Sequence, residues 1–157
     1  DTLPSNATRC TFADVVVGLY DDSVSAGYGI VEKTAIGSLV ITGLTGITNE
    51  VYGALTGETV YMVGKTSGTL SGVVLKSCVH INSTQALSLY VICAAKASYC
   101  ADLGDSGAPV FMPYNASYPN PTPRTVGIHF AALGGCAGSY YSNMNGVFNA
   151  TGYQYIW

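Results

Sequence analysis

Leu103-Gly104-Asp105-Ser106-Gly107-Ala108-Pro109 lies between two apolar runs, Leu87-Ser88-Leu89-Tyr90-Val91-Ile92 before it and Pro109-Val110-Phe111-Met112 overlapping its end. Each run has the composition of a strand, and a glycine-punctuated loop between strands is the expected setting for a side chain held at the mouth of a sheet. Glycines on either side of Asp105-Ser106 let the backbone turn tightly, so that successive N–H groups can point to one side. Such donors beside a serine hydroxyl form the layout that stabilises an oxyanion in acyl transfer.

Working outward, composition limits the class of molecule. The chain has 157 residues, enough for one domain with its own core. Only 10% of residues are charged and the mean hydropathy is +0.32, so the surface is expected to be covered, by glycans or by burial of one face against a partner. No run approaches the roughly 20 apolar residues of a membrane span, and Asp1 opens no signal-peptide pattern, which reads as a mature, processed chain. Nineteen glycines, twelve tyrosines and many Thr, Ser and Val residues favour strands and tight turns: the expectation is an all-β protein. A net charge of −3 with six basic residues scattered singly argues against nucleic acid or anionic membrane as partner. No metal or other cofactor is expected.

Sequons at Asn6, Asn82, Asn115 and Asn149, together with five cysteines, point to a secreted, extracellular glycoprotein with N-linked glycans. Cys78 and Cys93 fall on neighbouring expected strands and would close a short loop. The organisation expected is an N-terminal arm and linker strand over 1–25, followed by a single β-barrel domain over 26–157. Short strands are expected near 28–33 and 38–42, a hairpin over 58–63 and 69–75, and an exposed proline-rich loop over 115–124. The tyrosine- and asparagine-rich tail, 140–157, reads as a final strand.

Gly104-Asp105-Ser106-Gly107-Ala108-Pro109 resembles the motif around the nucleophile of chymotrypsin-like serine proteases, and Cys100-Ala-Asp-Leu-Gly-Asp-Ser resembles the streptogrisin-type bacterial branch. Val63-Gly64-Lys65-Thr66-Ser67-Gly68-Thr69-Leu70-Ser71-Gly72-Val73-Val74 looks like the hairpin that precedes that motif in the family. Thr125-Val126-Gly127-Ile128 followed by Gly135-Cys136 looks like the pocket-wall strand that follows it. The resemblance covers about residues 58 to 148, the second of the family's two barrels; the barrel carrying the catalytic histidine has no counterpart here. It implies a six-stranded antiparallel Greek-key barrel, with Ser106 as nucleophile, the N–H groups of Gly104 and Ser106 as oxyanion hole and Asp14 as the acid that orients a histidine. It also implies a Cys100–Cys136 disulfide, which leaves Cys10 as a free thiol or a link to another chain. Asp105 is the structural acid, a buried carboxylate that needs a cation or backbone donors; Arg9, Arg124 and the amine of Asp1 are the cations on offer. The chain departs from the family pattern at Phe130-Ala131-Ala132, where a serine, an aromatic or small residue, and a glycine are usual.

A serine hydroxyl is a poor nucleophile without a positioned base. His80 alternates onto the same face as Asn82 in the expected strand 78–82 and reads as a surface residue. His129 lies on the strand opposite the face carrying Val126, Ile128 and Phe130, with no acid after it in the chain. Two functions follow. The chain is the nucleophile-bearing half of a secreted serine endopeptidase, inactive on peptide substrates without a histidine-bearing partner chain. Alternatively it is a pseudoprotease, a secreted glycoprotein used for binding or for self-assembly of identical subunits into a fibre or other structural oligomer, with Cys10 as a link and Val15–Tyr20 as an exposed edge. If it is active, Ser98, Tyr99, Ala131 and Ala132 make an uncharged, apolar specificity pocket.

Overall fold

A computed structural model describes residues 9–11, 13, 30–34, 41–46, 48–49, 54–83, 89–112 and 124–152. Asp14, Asn6, Asn115, the 15–20 edge and the proline-rich loop lie outside the described residues, as do residues 153–157 of the tail. The strands are β1 (Arg9–Thr11), β2 (Ile30–Thr34), β3 (Ile41–Gly46), β4 (Thr48–Asn49), β5 (Thr59–Gly64), β6 (Gly68–Ser83), β7 (Leu89–Ala97), β8 (Pro109–Met112), β9 (Arg124–Ala132) and β10 (Ser139–Asn143). A short 3-10 turn spans Gly134–Cys136, and one helix, α1, spans Met144–Thr151.

Six of these strands close on themselves. β5 pairs with β6, β6 with β7, β7 with β10, β10 with β9, β9 with β8, and β8 returns to β5, every pair antiparallel. The step from β7 across to β10, with β8 and β9 filling in behind, is the expected Greek-key arrangement. β1 and β4 add short parallel pairings to β7 and β9, and β2 with β3 forms a separate two-stranded sheet.

The residue pattern explains the closure. On β5, Val60 and Met62 face the barrel interior while Tyr61 and Val63 pack outside against Phe111; on β8, Val110 and Met112 face in and Phe111 out. Tyr61 and Phe111 stand opposite each other across the β5–β8 pair, their rings stacked 5.9 Å apart. On and just after β7 the inward positions are Ala95, Ala97, Tyr99 and Ala101, so small residues alternate with one large ring, and Tyr141 of β10 fills the remaining space.

Two expectations are corrected. The tail does not continue as a strand: after β10, Asn143 caps a helix through its Oδ1, which accepts the Gly146 N–H at 2.9 Å. Gly152 then closes that helix in the left-handed conformation (φ 69°), its N–H donating to the Phe148 carbonyl. Met144 and Val147 bury the helix against Ala13 and Ile128. The faces of β9 do not alternate strictly either. Val126 belongs to the barrel core, Ile128 packs outside with α1, and His129 is buried again; register shifts on both neighbours of β9 account for the change of phase.

β9 and β10 approach so closely at Gly127 that a Cβ there would collide with the Ser142 carbonyl and the Tyr141 ring. Gly127→Ala should therefore cost about 1–3 kcal/mol in denaturant unfolding. Gly134→Ala, with open space around it, should change stability by less than about 0.5 kcal/mol.

Candidate active site

The loop between β7 and β8 is anchored from inside by Asp105, which is 1% exposed. Its Oδ1 accepts the backbone N–H groups of Thr66 (2.7 Å) and Ser67 (3.1 Å), and its Oδ2 accepts that of Asp102 (3.0 Å). The buried acid is thus held by backbone donors. Arg9's side chain and Asp1 fall outside the description, and Arg124 lies at the start of β9. Burial pushes the carboxyl pKa upward, but the bonds from Asp102, Ser67 and Thr66 outweigh it and the net shift is downward. The donors come from the turn joining β5 to β6. Gly64 is there because any Cβ would occupy the space of the Asp105 carboxyl, and Gly68 takes φ 65° to close the turn. Thr66 makes a further tie, its hydroxyl donating to the Leu103 carbonyl at 2.9 Å.

The loop's own N–H groups divide by use. Asp105 N–H donates to the Asp102 carbonyl, Gly107 N–H to the His129 carbonyl and Ala108 N–H to the Asp105 carbonyl. Those of Gly104 and Ser106, both exposed, meet no acceptor among the described residues. Gly104 (φ 98°) and Gly107 (φ 91°) supply the left-handed turns, and a Cβ on Gly104 would lie 2.6 Å from the Thr66 hydroxyl. The exposed Ser106 hydroxyl donates to the Phe130 carbonyl at 3.3 Å, which fixes the loop against β9.

Neither histidine serves that hydroxyl. His80 is exposed on β6, stacked on Tyr90 with ring centroids 5.9 Å apart, and its Nδ1 accepts the Cys93 N–H at 3.4 Å. His129 is 1% exposed, its Nδ1 lies 3.2 Å from the Tyr99 hydroxyl, and it is hydrogen-bonded to the backbone of Tyr140. Burial holds its imidazole below the ordinary histidine range, against the opposing pull of the Asp105 charge and of the Tyr140 bond. Burial raises the Tyr99 phenol in turn, with smaller contributions from Tyr141 and Asp105.

Beside Ser106 opens a cleft of about 690 Å³. One wall is Cys100–Leu103, the other Phe130–Cys136, with Ser67 between. The Cys100–Cys136 disulfide joins the two walls; the second disulfide, Cys78–Cys93, crosses from β6 to β7. Phe130 stacks on Tyr140 at 6.5 Å while still contributing to the cleft. The apolar pocket expected from the sequence is corrected in two respects. Ala131 and Ala132 line the cleft, but Ser98 and Tyr99 do not: the Ser98 hydroxyl accepts the Val73 N–H and Tyr99 is buried in the barrel. Asp102 brings one carboxylate to the wall. Of the other sequence-derived sites, Asn82 and Asn149 are exposed, and the backbone of Cys10 runs in β1 opposite Tyr90.

The same fold occurs in solved structures. Protease A of Thermobifida fusca superposes with a TM-score of 0.59 over 79% of this chain at 20% identity. A chymotrypsin from Cellulomonas bogoriensis gives 0.57 over 73% at 19% identity, and a glutamic acid specific serine protease 0.60 over 85% at 22% identity. The fold is that of the chymotrypsin-like serine proteases. The chain spans 58%, 57% and 62% of the lengths of those three proteins, consistent with one barrel of the fold. The glutamic acid specific enzyme is described as using a histidine triad in substrate binding; the present chain contains two histidines, one on the surface and one in the core. No family model matches the chain, and no curated protein matches it in sequence. Among the described residues no helix is long and apolar enough to cross a membrane.

Two acid-side losses of stability should be separable. A histidine with a lowered folded-state pKa contributes stability that is present above about pH 6.5 and lost below it; a carboxylate with a lowered one contributes stability present above about pH 4 and lost as pH falls further. His129→Gln should remove the first step in a pH series of urea unfolding curves, and Asp105→Asn the second. Asp105→Ala, which strands three backbone donors, should cost about 2–5 kcal/mol at neutral pH.

Proposed function

We propose that this barrel is the nucleophile-bearing half of a secreted serine endopeptidase, and that the imidazole acting on Ser106 comes from polypeptide outside these 157 residues, covalently continuous or a separate chain. The observation that carries the reading is the pairing of an exposed serine with two N–H groups, of Gly104 and Ser106, that have no acceptor among the described residues. In the reaction, Ser106 Oγ attacks the substrate carbonyl carbon and its proton passes to the external imidazole. The negative charge that forms on the carbonyl oxygen is met by the two N–H groups, and the leaving amine takes the proton back. Asp14, which precedes the barrel in the sequence, is the acid for that imidazole in this reading, and exposed Asn82 and Asn149 carry glycans. A partner joined through Cys10 would also cover part of this apolar surface.

The competing reading is a pseudoprotease that binds or self-assembles. It is favoured by the bond from the Ser106 hydroxyl to the Phe130 carbonyl and by the engagement of both imidazoles elsewhere. A fluorophosphonate probe separates the two. Native material that retains the base-bearing segment should be labelled at Ser106, and Ser106→Ala should abolish labelling. The isolated 157-residue chain should react about 10²–10⁴-fold more slowly, the contribution of a positioned base. Absence of labelling with that segment present contradicts the endopeptidase reading.

A further inference from the structure

Each of the two amides that meet no acceptor among the described residues belongs to a peptide unit whose carbonyl is held from behind. A trans peptide is planar, with its C=O and N–H pointing in opposite directions, so a bond on the oxygen fixes where the amide points. For the Asp105–Ser106 peptide the partner is backbone: the Asp105 carbonyl accepts the Ala108 N–H at 3.0 Å. For the Leu103–Gly104 peptide it is a side chain: the Leu103 carbonyl accepts the Thr66 hydroxyl at 2.9 Å. Local packing does not restrain that second unit. Leu103 is 92% exposed, so its side chain gives no anchor, and its N–H bond to Asp102 Oδ1 lies on the preceding peptide. Gly104, at φ 98°, lacks the steric limits that confine other residues. Thr66 is itself well fixed: its N–H donates to Asp105 Oδ1 at 2.7 Å, and its β-branched side chain is stiff about χ1. Its hydroxyl lies so near Gly104 that a Cβ there would come within 2.6 Å of it.

We infer that Thr66 is a positioning residue for the Gly104 amide: its hydroxyl, reaching across from the turn between β5 and β6, orients the Leu103–Gly104 peptide and so aims one of the two oxyanion donors. The inference rests on the role proposed above for those two amides. The bond acts twice. It fixes the peptide plane, and it draws electron density toward the carbonyl oxygen, which makes the N–H on the other side of the same unit a stronger donor. Without the hydroxyl the Leu103 carbonyl is free to turn, and the Gly104 N–H turns with it, while the Ser106 N–H keeps its aim through Ala108. The two donors are therefore set independently, one by the loop that carries Ser106 and the other by the turn that also anchors Asp105. Donors already aimed cost no reorganisation when charge develops, whereas a loose one has to be ordered first.

Nitrogen-15 relaxation of the folded 157-residue chain tests this without catalysis. In the wild type the Gly104 and Ser106 amides should be similarly rigid, with order parameters of about 0.85. Thr66→Val, which keeps the shape and removes the donor, should lower Gly104 below about 0.6 and leave Ser106 unchanged. Thr66→Ser, which restores a hydroxyl, should bring Gly104 back. Fluorophosphonate labelling of native material gives a second readout: Thr66→Val should slow it by roughly 10- to 1,000-fold, the upper figure being the loss of a whole oxyanion donor, and Thr66→Ser should recover most of the rate. A Gly104 amide equally ordered with and without the hydroxyl overturns the inference, as does labelling of Thr66→Val at the wild-type rate. Loss of order at Ser106 and Asp102 together with Gly104 also overturns it, because Thr66 would then only hold the loop in place. If Thr66→Val does not fold, the wild type decides, and a mobile Gly104 amide beside a rigid Ser106 contradicts the inference. Wild-type native material that resists the probe removes the endopeptidase reading and leaves the amide measurement standing.

Discussion

One buried carboxylate ties the working parts of this barrel together. Asp105 sits in the loop between β7 and β8, yet two of its three backbone partners, Thr66 and Ser67, belong to the turn between β5 and β6. A charge removed from water is tolerated only where donors converge on it, so the two loops have to fold against each other. Gly64 makes room for the carboxyl, and Thr66 adds its own bond to Leu103. The shape of the segment 104–107 follows from that docking more than from contacts of its own exposed residues.

What the docking leaves free is as informative as what it uses. Asp105, Gly107 and Ala108 spend their N–H groups on Asp102, His129 and Asp105 carbonyls, while those of Gly104 and Ser106, both exposed residues, meet no acceptor among the described residues. In the proposed endopeptidase reading, a loop anchored in this way meets an anionic oxygen at those two amides without reorganisation. The serine beside those amides has a carbonyl partner in Phe130 in place of an imidazole. The buried histidine, His129, is held in the core by Tyr99 and Tyr140. In the endopeptidase reading proposed above, oxyanion chemistry and general-base chemistry are separate: the barrel supplies the first from its backbone, and the second is delivered to it.

Much of this was legible before any coordinates. The hairpin over 58–63 and 69–75 and the apolar run Pro109–Met112 marked those strands, the glycine spacing around Asp105-Ser106 marked the loop, and the family resemblance supplied the barrel order and the Cys100–Cys136 bridge. The errors have physical causes. Asn143 to Gly152 is poor in strong helix formers, and its helix is fixed by caps at Asn143 and Gly152 and by packing on Ile128; the caps were readable, the packing was not. On β9 the register shifts break the two-residue period, so Val126 and Ile128 part company. The Asp105 partners are backbone amides, which leave no trace in residue type beyond the glycines that bracket their turn. Tyr99 and His129 meet across 30 positions of sequence, and no local pattern announces such a contact.

The dependence on Asp105 is accessible to a single experiment: a carbon-13 titration of its side-chain carboxyl in the folded chain, with the amide protons of Thr66, Ser67 and Asp102 followed in the same samples. A carboxylate held by those three donors should remain ionised below the ordinary aspartate midpoint of 3.8, and the three amide protons should shift together with it when it finally protonates. A carboxyl that titrates above that midpoint, or amides that stay still while it does, would contradict the account.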